Sequence, residues 1–133
     1  MNVALTIRAY REALGLTQED AARLMDVRQP TWSRWEQGVR EPRDPLSVIM
    51  VLQGLVDFRD EIFDAMCDLV EAQSSKRVQL GTYMTDAAFW RNNARARAEE
   101  LPASLHRSAA ALCAFLMMED AGIIVEIVDA EGK

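Results

Sequence analysis

Two short stretches of helical periodicity, 17–25 and 29–37, flank the three residues Asp26-Val27-Arg28. This spacing constrains the chain more than any other feature. Two helices joined by so short a turn must cross steeply, and a steep crossing needs a small residue where they touch; Ala22 sits there. The turn needs a residue that tolerates a left-handed conformation, and Asp26 can supply it. Thr17 is a natural N-cap, with Asp20 three residues on as a near-capping box. Pro30 suits the first turn of the following helix, where its missing N–H costs little, and Gly38 suits its end. Trp32 and Trp35 are three apart, so both point inward. Gln29, Pro30, Ser33 and Gln37 fall on the opposite face, with Arg34 at its edge. That face is polar and short-chained, the chemistry needed to meet base edges in a major groove.

The flanking chain is also mostly helical. Val3 to Leu14 reads as a first helix closed by Gly15. Residues 39–44 form a loop before Pro45, with Asp44 as cap. Leu46 to about Glu71 is helical in pattern, with a break expected near Gly54 or Asp57. Gln73-Ser74-Ser75 marks a boundary, giving an expected division into 1–73 and 74–133. Beyond it the pattern predicts a strand over Arg77–Tyr83, a helix over Thr85–Glu100, a second over Pro102–Met118, and a strand over Ile123–Val128. An isolated strand pair is marginal in water, so these two need helices beneath them or a partner chain. The expected fold class is mainly α: a helix-turn-helix bundle with a small C-terminal α+β dimerisation unit.

The 133 residues carry a formal charge of −6, but unevenly. Residues 1–43 hold seven arginines against six acids and sum to +1; the remainder sums to −7. A dimer could therefore present near-neutral, arginine-dotted ends to a phosphate backbone and keep its acidic bodies away. Two cysteines exclude a disulfide framework, and one histidine excludes a zinc cluster. No basic-then-apolar leader opens the sequence. The longest apolar run, Ala109–Met118, is ten residues, too short to span a bilayer. These features lead us to expect a cytoplasmic protein with no membrane association. No P-loop, dinucleotide glycine motif or nucleophile with a base partner is present, so neither enzymatic activity nor a cofactor is expected.

The stretch Gly15-Leu16-Thr17-Gln18-Glu19-Asp20-Ala21-Ala22-Arg23-Leu24, followed by Trp32-Ser33-Arg34-Trp35-Glu36-Gln37-Gly38, resembles the Cro/C1-type (XRE) helix-turn-helix family. The resemblance covers about residues 3–70. It implies a bundle of about five helices that binds double-stranded DNA as a homodimer at a palindromic operator. It also implies roles for single residues. Gln29, Pro30, Ser33 and Arg34 would read bases, with Gln29 suited to adenine and Arg34 to guanine. Thr17, Gln18, Arg28, Gln37, Arg40 and Arg43 would hold phosphates. Ala22, Trp32, Trp35 and an Arg11–Glu36 ion pair would be structural. Three positions depart from the family pattern. Asp26 stands for the usual turn glycine, Trp32 for a branched aliphatic residue, and Pro30 can offer bases only apolar contact. A domain of this kind with the paired-tryptophan stretch Thr31 to Gly38, followed by strand–helix–helix–strand, is similar to the anti-CRISPR-associated regulators of phages and to related DUF1870-type proteins. That likeness implies a repressor of its own operon.

Other features admit two readings each. His106 and Cys113 are seven apart, and one soft-ligand pair is not a metal site. The acidic row Glu61, Asp64, Asp68, Glu71 reads as a solvated helix face before it reads as paired catalytic carboxylates. Arg91, Arg95 and Arg97, with Asn92 and Asn93, form either a solvated face paired with Glu99 and Glu100 or a surface for phosphates or RNA. Leu112, Phe115, Leu116 and Met118 belong either to the interior or to a dimer interface. Two functions follow: a sequence-specific repressor, or an antitoxin-like module that masks a partner protein and binds nucleic acid secondarily.

Overall fold

The computed structural model describes residues 1–132 and divides into two compact units, Met1–Asp57 and Phe58–Lys133. Among the described residues there are seven helices and two short parallel strands, a mainly helical fold with a helix-turn-helix.

The first unit holds α1 (Val3–Ala13), α2 (Gln18–Leu24), α3 (Gln29–Gln37) and the first half of α4 (Pro45–Ala72). A side chain caps the start of α1, α2 and α4, whereas α3 follows Arg28 with no side-chain cap and carries Pro30 in its first turn. Asn2 Oδ1 accepts from Leu5 N–H at 3.0 Å, Thr17 Oγ1 from Asp20 N–H at 3.0 Å, and Asp44 Oδ1 from Ser47 N–H at 3.2 Å. These bonds satisfy amides that have no partner inside the helix. Gly38 closes α3 at φ +73°, a left-handed conformation that costs a glycine nothing. Ile7, Leu14, Leu16, Ala21, Ala22, Trp32, Trp35, Val48, Leu52 and Leu55 are buried.

The second unit holds the rest of α4, β1 (Arg77–Thr82), α5 (Asp86–Asn92), α6 (Ala94–Glu99), α7 (Ala103–Ala121) and β2 (Ile124–Asp129). The strands pair within the chain, in parallel, from Arg77 beside Ile124 to Thr82 beside Asp129. A parallel pair cannot close through a tight turn, and the three helices between the strands supply the crossover. A Cβ on Gly81 would lie 2.9 Å from that of Ala130, so only glycine lets the chain pass there. Val78 and Leu80 face a core of Met66, Val70, Ala109, Ala110, Cys113, Met117 and Ile123. Phe89, buried in the same unit, stacks on Tyr83 at 5.6 Å and lies 5.2 Å from the ring of His106.

Three expectations are corrected. The α4 helix runs unbroken past Gly54 and Asp57. A glycine inside a helix costs only about 1 kcal/mol against alanine, and Leu52, Leu55 and Phe58 are buried on either side of it. Residues 85–100 form two helices rather than one. Asn93 is extended (φ −142°, ψ 110°), and its Oδ1 accepts from Ala96 N–H at 2.9 Å, so it ends α5 and caps α6. The helix expected to end at Met118 continues to Ala121 and stops at Gly122. Ala109–Met118 is split by side: Ala109, Ala110, Cys113 and Met117 are buried, while Leu112, Phe115, Leu116 and Met118 are exposed.

Candidate nucleic-acid interface

The turn between α2 and α3 is built by local hydrogen bonds. Asp26 adopts φ +56°, Asp26 N–H donates to Arg23 O at 3.1 Å, and Val27 N–H donates to Ala22 O at 2.9 Å. Ala22 is buried beneath this turn, where a larger side chain would push the helices apart.

The inner face of α3 is anchored twice. Trp32 and Trp35 are buried with ring centroids 5.7 Å apart and tilted by 57°. Beside them a polar network joins α1, α2 and α3. Arg11 donates from Nε to Glu36 Oε2 at 2.5 Å, from Nη2 to Glu36 Oε1 at 2.9 Å, and from Nη1 to Leu16 O at 3.0 Å. The indole N–H of Trp32 donates to the same carboxylate. Gln18 Nε2 donates to Glu36 Oε1 at 3.2 Å, and Gln29 Nε2 donates to Gln18 Oε1 at 2.7 Å. Burial alone would push the Glu36 carboxyl up. The donors Arg11, Trp32 and Gln18 outweigh it and hold Glu36 below the usual carboxylate range. The same hydrogen bond raises Arg11. Glu36 is thus ionised and fully bonded, the condition under which a buried charge is tolerated.

On the outer face Gln29, Pro30, Arg34 and Gln37 are exposed, and Ser33 is half-buried and accepts from Gln37 Nε2 at 3.2 Å. Arg28, Arg34, Arg40 and Arg43 are exposed, and none has a side-chain partner among the described residues. Thr17 spends its oxygen on the cap of α2 but keeps its hydroxyl proton. Gln18 is bonded at both ends of its amide, to Glu36 and to Gln29. Gln29 gives one amide hydrogen to Gln18, leaving its carbonyl oxygen and second hydrogen outward.

The other clusters are engaged elsewhere. Arg91 pairs with Glu131 at 2.6 Å, and Arg95 pairs with Glu99 at 2.8 Å and lies 4.9 Å from the Phe58 ring centroid. Arg97 donates to Trp90 O at 3.0 Å. His106 and Cys113 do not share a site: His106 Nδ1 bonds Thr82 Oγ1 at 2.7 Å, and Cys113 lies 3.8 Å from Cys67. Glu61, Asp64, Asp68 and Glu71 are exposed along α4. Sequence reading missed the Gln29–Gln18–Glu36 chain and the bond from Tyr10 O–H to Gln53 Oε1 at 3.0 Å. These links join separate helices, and no periodic pattern encodes them.

No helix among the described residues is long and apolar enough to cross a membrane. No curated protein matches the chain. A family described as a helix-turn-helix domain matches residues 3–80, more than half of the chain. That span includes both crossing helices, the Asp26 turn between them and the Glu36 network that fixes the third helix, and it places the chain in the helix-turn-helix domain family.

Proposed function

We propose that this chain is a transcriptional repressor that binds an inverted-repeat operator as a homodimer and represses its own operon in the cytoplasm. One observation carries the reading: α3 is locked on its inner face by Trp32, Trp35 and Glu36, while its outer face offers Gln29, Pro30 and Arg34 to solvent. A reading head needs this combination of a fixed axis and uncommitted outward groups. In this reading Arg34 forks onto guanine, Gln29 meets adenine, Pro30 touches a thymine methyl, and Ser33 contributes its hydroxyl. Thr17, Gln18, Arg28, Gln37, Arg40 and Arg43 hold phosphates, and Gln18 also holds Gln29 in register.

Residues 1–73 supply DNA binding and 74–133 supply dimerisation. The uncovered apolar stripe of α7 supports this, with Phe115 67% exposed beside Leu112, Leu116 and Met118. Occupancy of a promoter by the dimer excludes polymerase. The narrower likeness to anti-CRISPR-associated repressors rests on the stretch Thr31 to Gly38 and, in the C-terminal half, on element order alone. Three helices rather than two separate the strands, and the proposal does not depend on that likeness.

A second reading rests on the rim of the same stripe. Phe63, Leu112, Phe115 and Leu116 line a groove of about 480 Å³ edged by Asp60, Asp64 and Glu119. A second copy seated there would set acid against acid, whereas a basic amphipathic helix of another protein would not, as the partner-masking module requires.

Binding to the duplex immediately upstream of the gene, against a scrambled duplex at two salt concentrations, tests the first reading. A preference of about a thousandfold for the native duplex is expected. Equal, weak binding that vanishes with salt would overturn it. Sedimentation of the free protein separates the readings, since a stable dimer supports the first and a monomer the second.

A further inference from the structure

Cys67 on α4 and Cys113 on α7 are 46 positions apart in the chain, yet their sulfurs lie 3.8 Å from each other. Both thiols are free, and Cys67 S–H is directed at Cys113 Sγ. A disulfide holds its sulfurs about 2.05 Å apart, so the two sulfurs must approach further to bond. Their settings differ. Cys113 is buried among Met66, Val70, Ala109, Ala110 and Met117, while Cys67 is half-buried at the margin of the same cluster.

We propose that Cys67 and Cys113 are a reversible dithiol–disulfide pair that staples α4 to α7, with Cys67 the entering sulfur and Cys113 the resolving one. The oxidant is a low-molecular-weight disulfide. The Cys67 thiolate attacks one of its sulfurs, forms a mixed disulfide and expels the first small thiolate. Cys113, deprotonated, attacks Cys67 Sγ and expels the second. The two protons lost by the cysteines leave with two small thiols. The protein is oxidised by two electrons and the small disulfide is reduced by two.

Burial raises both thiols, Cys113 to about 12, and the carboxylates of Glu71, Asp64 and Asp68 add to the rise at Cys67. The thiolate is the attacking species, so exchange is slow at neutral pH and quickens in alkali. Such a pair responds to sustained oxidising conditions rather than to a brief pulse. Phe63 and Asp64 lie one turn before Cys67, and Leu112 and Leu116 flank Cys113; all four line the groove between α4 and α7. Closing the staple fixes the separation of the two walls.

The test equilibrates the whole chain in buffers of reduced and oxidised glutathione at alkaline pH, followed by thiol titration and peptide mass analysis without reduction. Both thiols are expected to disappear together. The chain should lose two hydrogen atoms and remain a single chain, one peptide should join residues 67 and 113, and dithiothreitol should restore both thiols. Cys113→Ser is expected to hold glutathione on Cys67; Cys113→Ala serves if the serine variant does not fold. A persistent glutathione adduct on wild-type Cys67, a bond between two chains, or two thiols intact in the most oxidising buffer would each overturn the proposal.

Discussion

Arg11 grips Glu36 through two parallel hydrogen bonds, Nε to Oε2 at 2.5 Å and Nη2 to Oε1 at 2.9 Å, and so ties α1 to α3. The Glu36 side chain is only 3% exposed. Removing one partner of a buried pair strands the other charge, so Glu36→Ala should destabilise the first unit by about 3–5 kcal/mol, read from chemical denaturation. Replacing both with apolar residues, Arg11→Met with Glu36→Leu, should cost far less than either single change. Glu36 titrates lower in the folded chain than in the unfolded one. Its contribution is complete above the unfolded value of about 4.3 and drains away as pH falls through the lower folded value. Glu36→Gln should remove that part of the acid sensitivity.

Asp26 holds a left-handed conformation that a β-carbon disfavours. Asp26→Gly relieves that strain but frees the unfolded chain, so the net change should be a gain of no more than about 1 kcal/mol. Asp26→Val, β-branched at the same φ, should destabilise by about 1–3 kcal/mol. A thermal melt of the two variants reads both values, and equal stability would show that the turn does not need this conformation.

His106 bonds Thr82 and lies against the rings of Tyr83 and Phe89. Burial, then the charge of Arg107, lowers its pKa to about 4 from an ordinary 6.5. The unfolded chain therefore binds a proton between those values that the folded chain refuses. Stability of the second unit should fall by as much as about 3 kcal/mol as pH drops from about 6.5 to about 4. His106→Asn, which keeps an acceptor toward Thr82, should flatten that interval and leave the fall at lower pH in place. Denaturation midpoints across the interval measure both profiles.

Arg34 and Arg43 are both exposed arginines without side-chain partners among the described residues, but the proposed roles differ. Arg34→Ala should cost about 1–3 kcal/mol of operator affinity and relax the preference at one base pair. Arg43→Ala should weaken native and scrambled duplexes alike and reduce the salt slope by about one. A competition assay over single-base operator variants separates these outcomes.

The local features were legible because each is written in a few adjacent residues. Thr17 announces the start of α2, Gly38 the end of α3, and Asp26 the turn between them. The inward tryptophans follow from a spacing of three. Asn93 misled because an asparagine inside a helical pattern is unremarkable until its side chain is seen capping the next helix. Gly54 misled in the opposite sense, because buried neighbours on both sides override a weak local preference. The Gln18–Gln29 link and the Cys67–Cys113 approach could not be read at all. Each depends on how separate helices pack, and exclusion of a disulfide framework is silent about one pair of adjacent thiols.

The parallel pairing of β1 with β2 also sets an order of events. Lys76 O waits for the amide of Ile124, and Thr82 O for that of Ala130. No hydrogen bond of this sheet can form until the whole crossover and the start of the second strand have been synthesised. In the first unit the backbone hydrogen bonds of helices and turn join residues a few positions apart, and its longer links, such as Arg11 to Glu36 and Tyr10 to Gln53, all lie before β1. Low contact order favours rapid folding, and non-local strand pairing delays it. On the ribosome the unit carrying α3 can therefore reach its native shape while β1 is still an unpaired edge, and the vulnerable interval of this chain is the time taken to deliver β2.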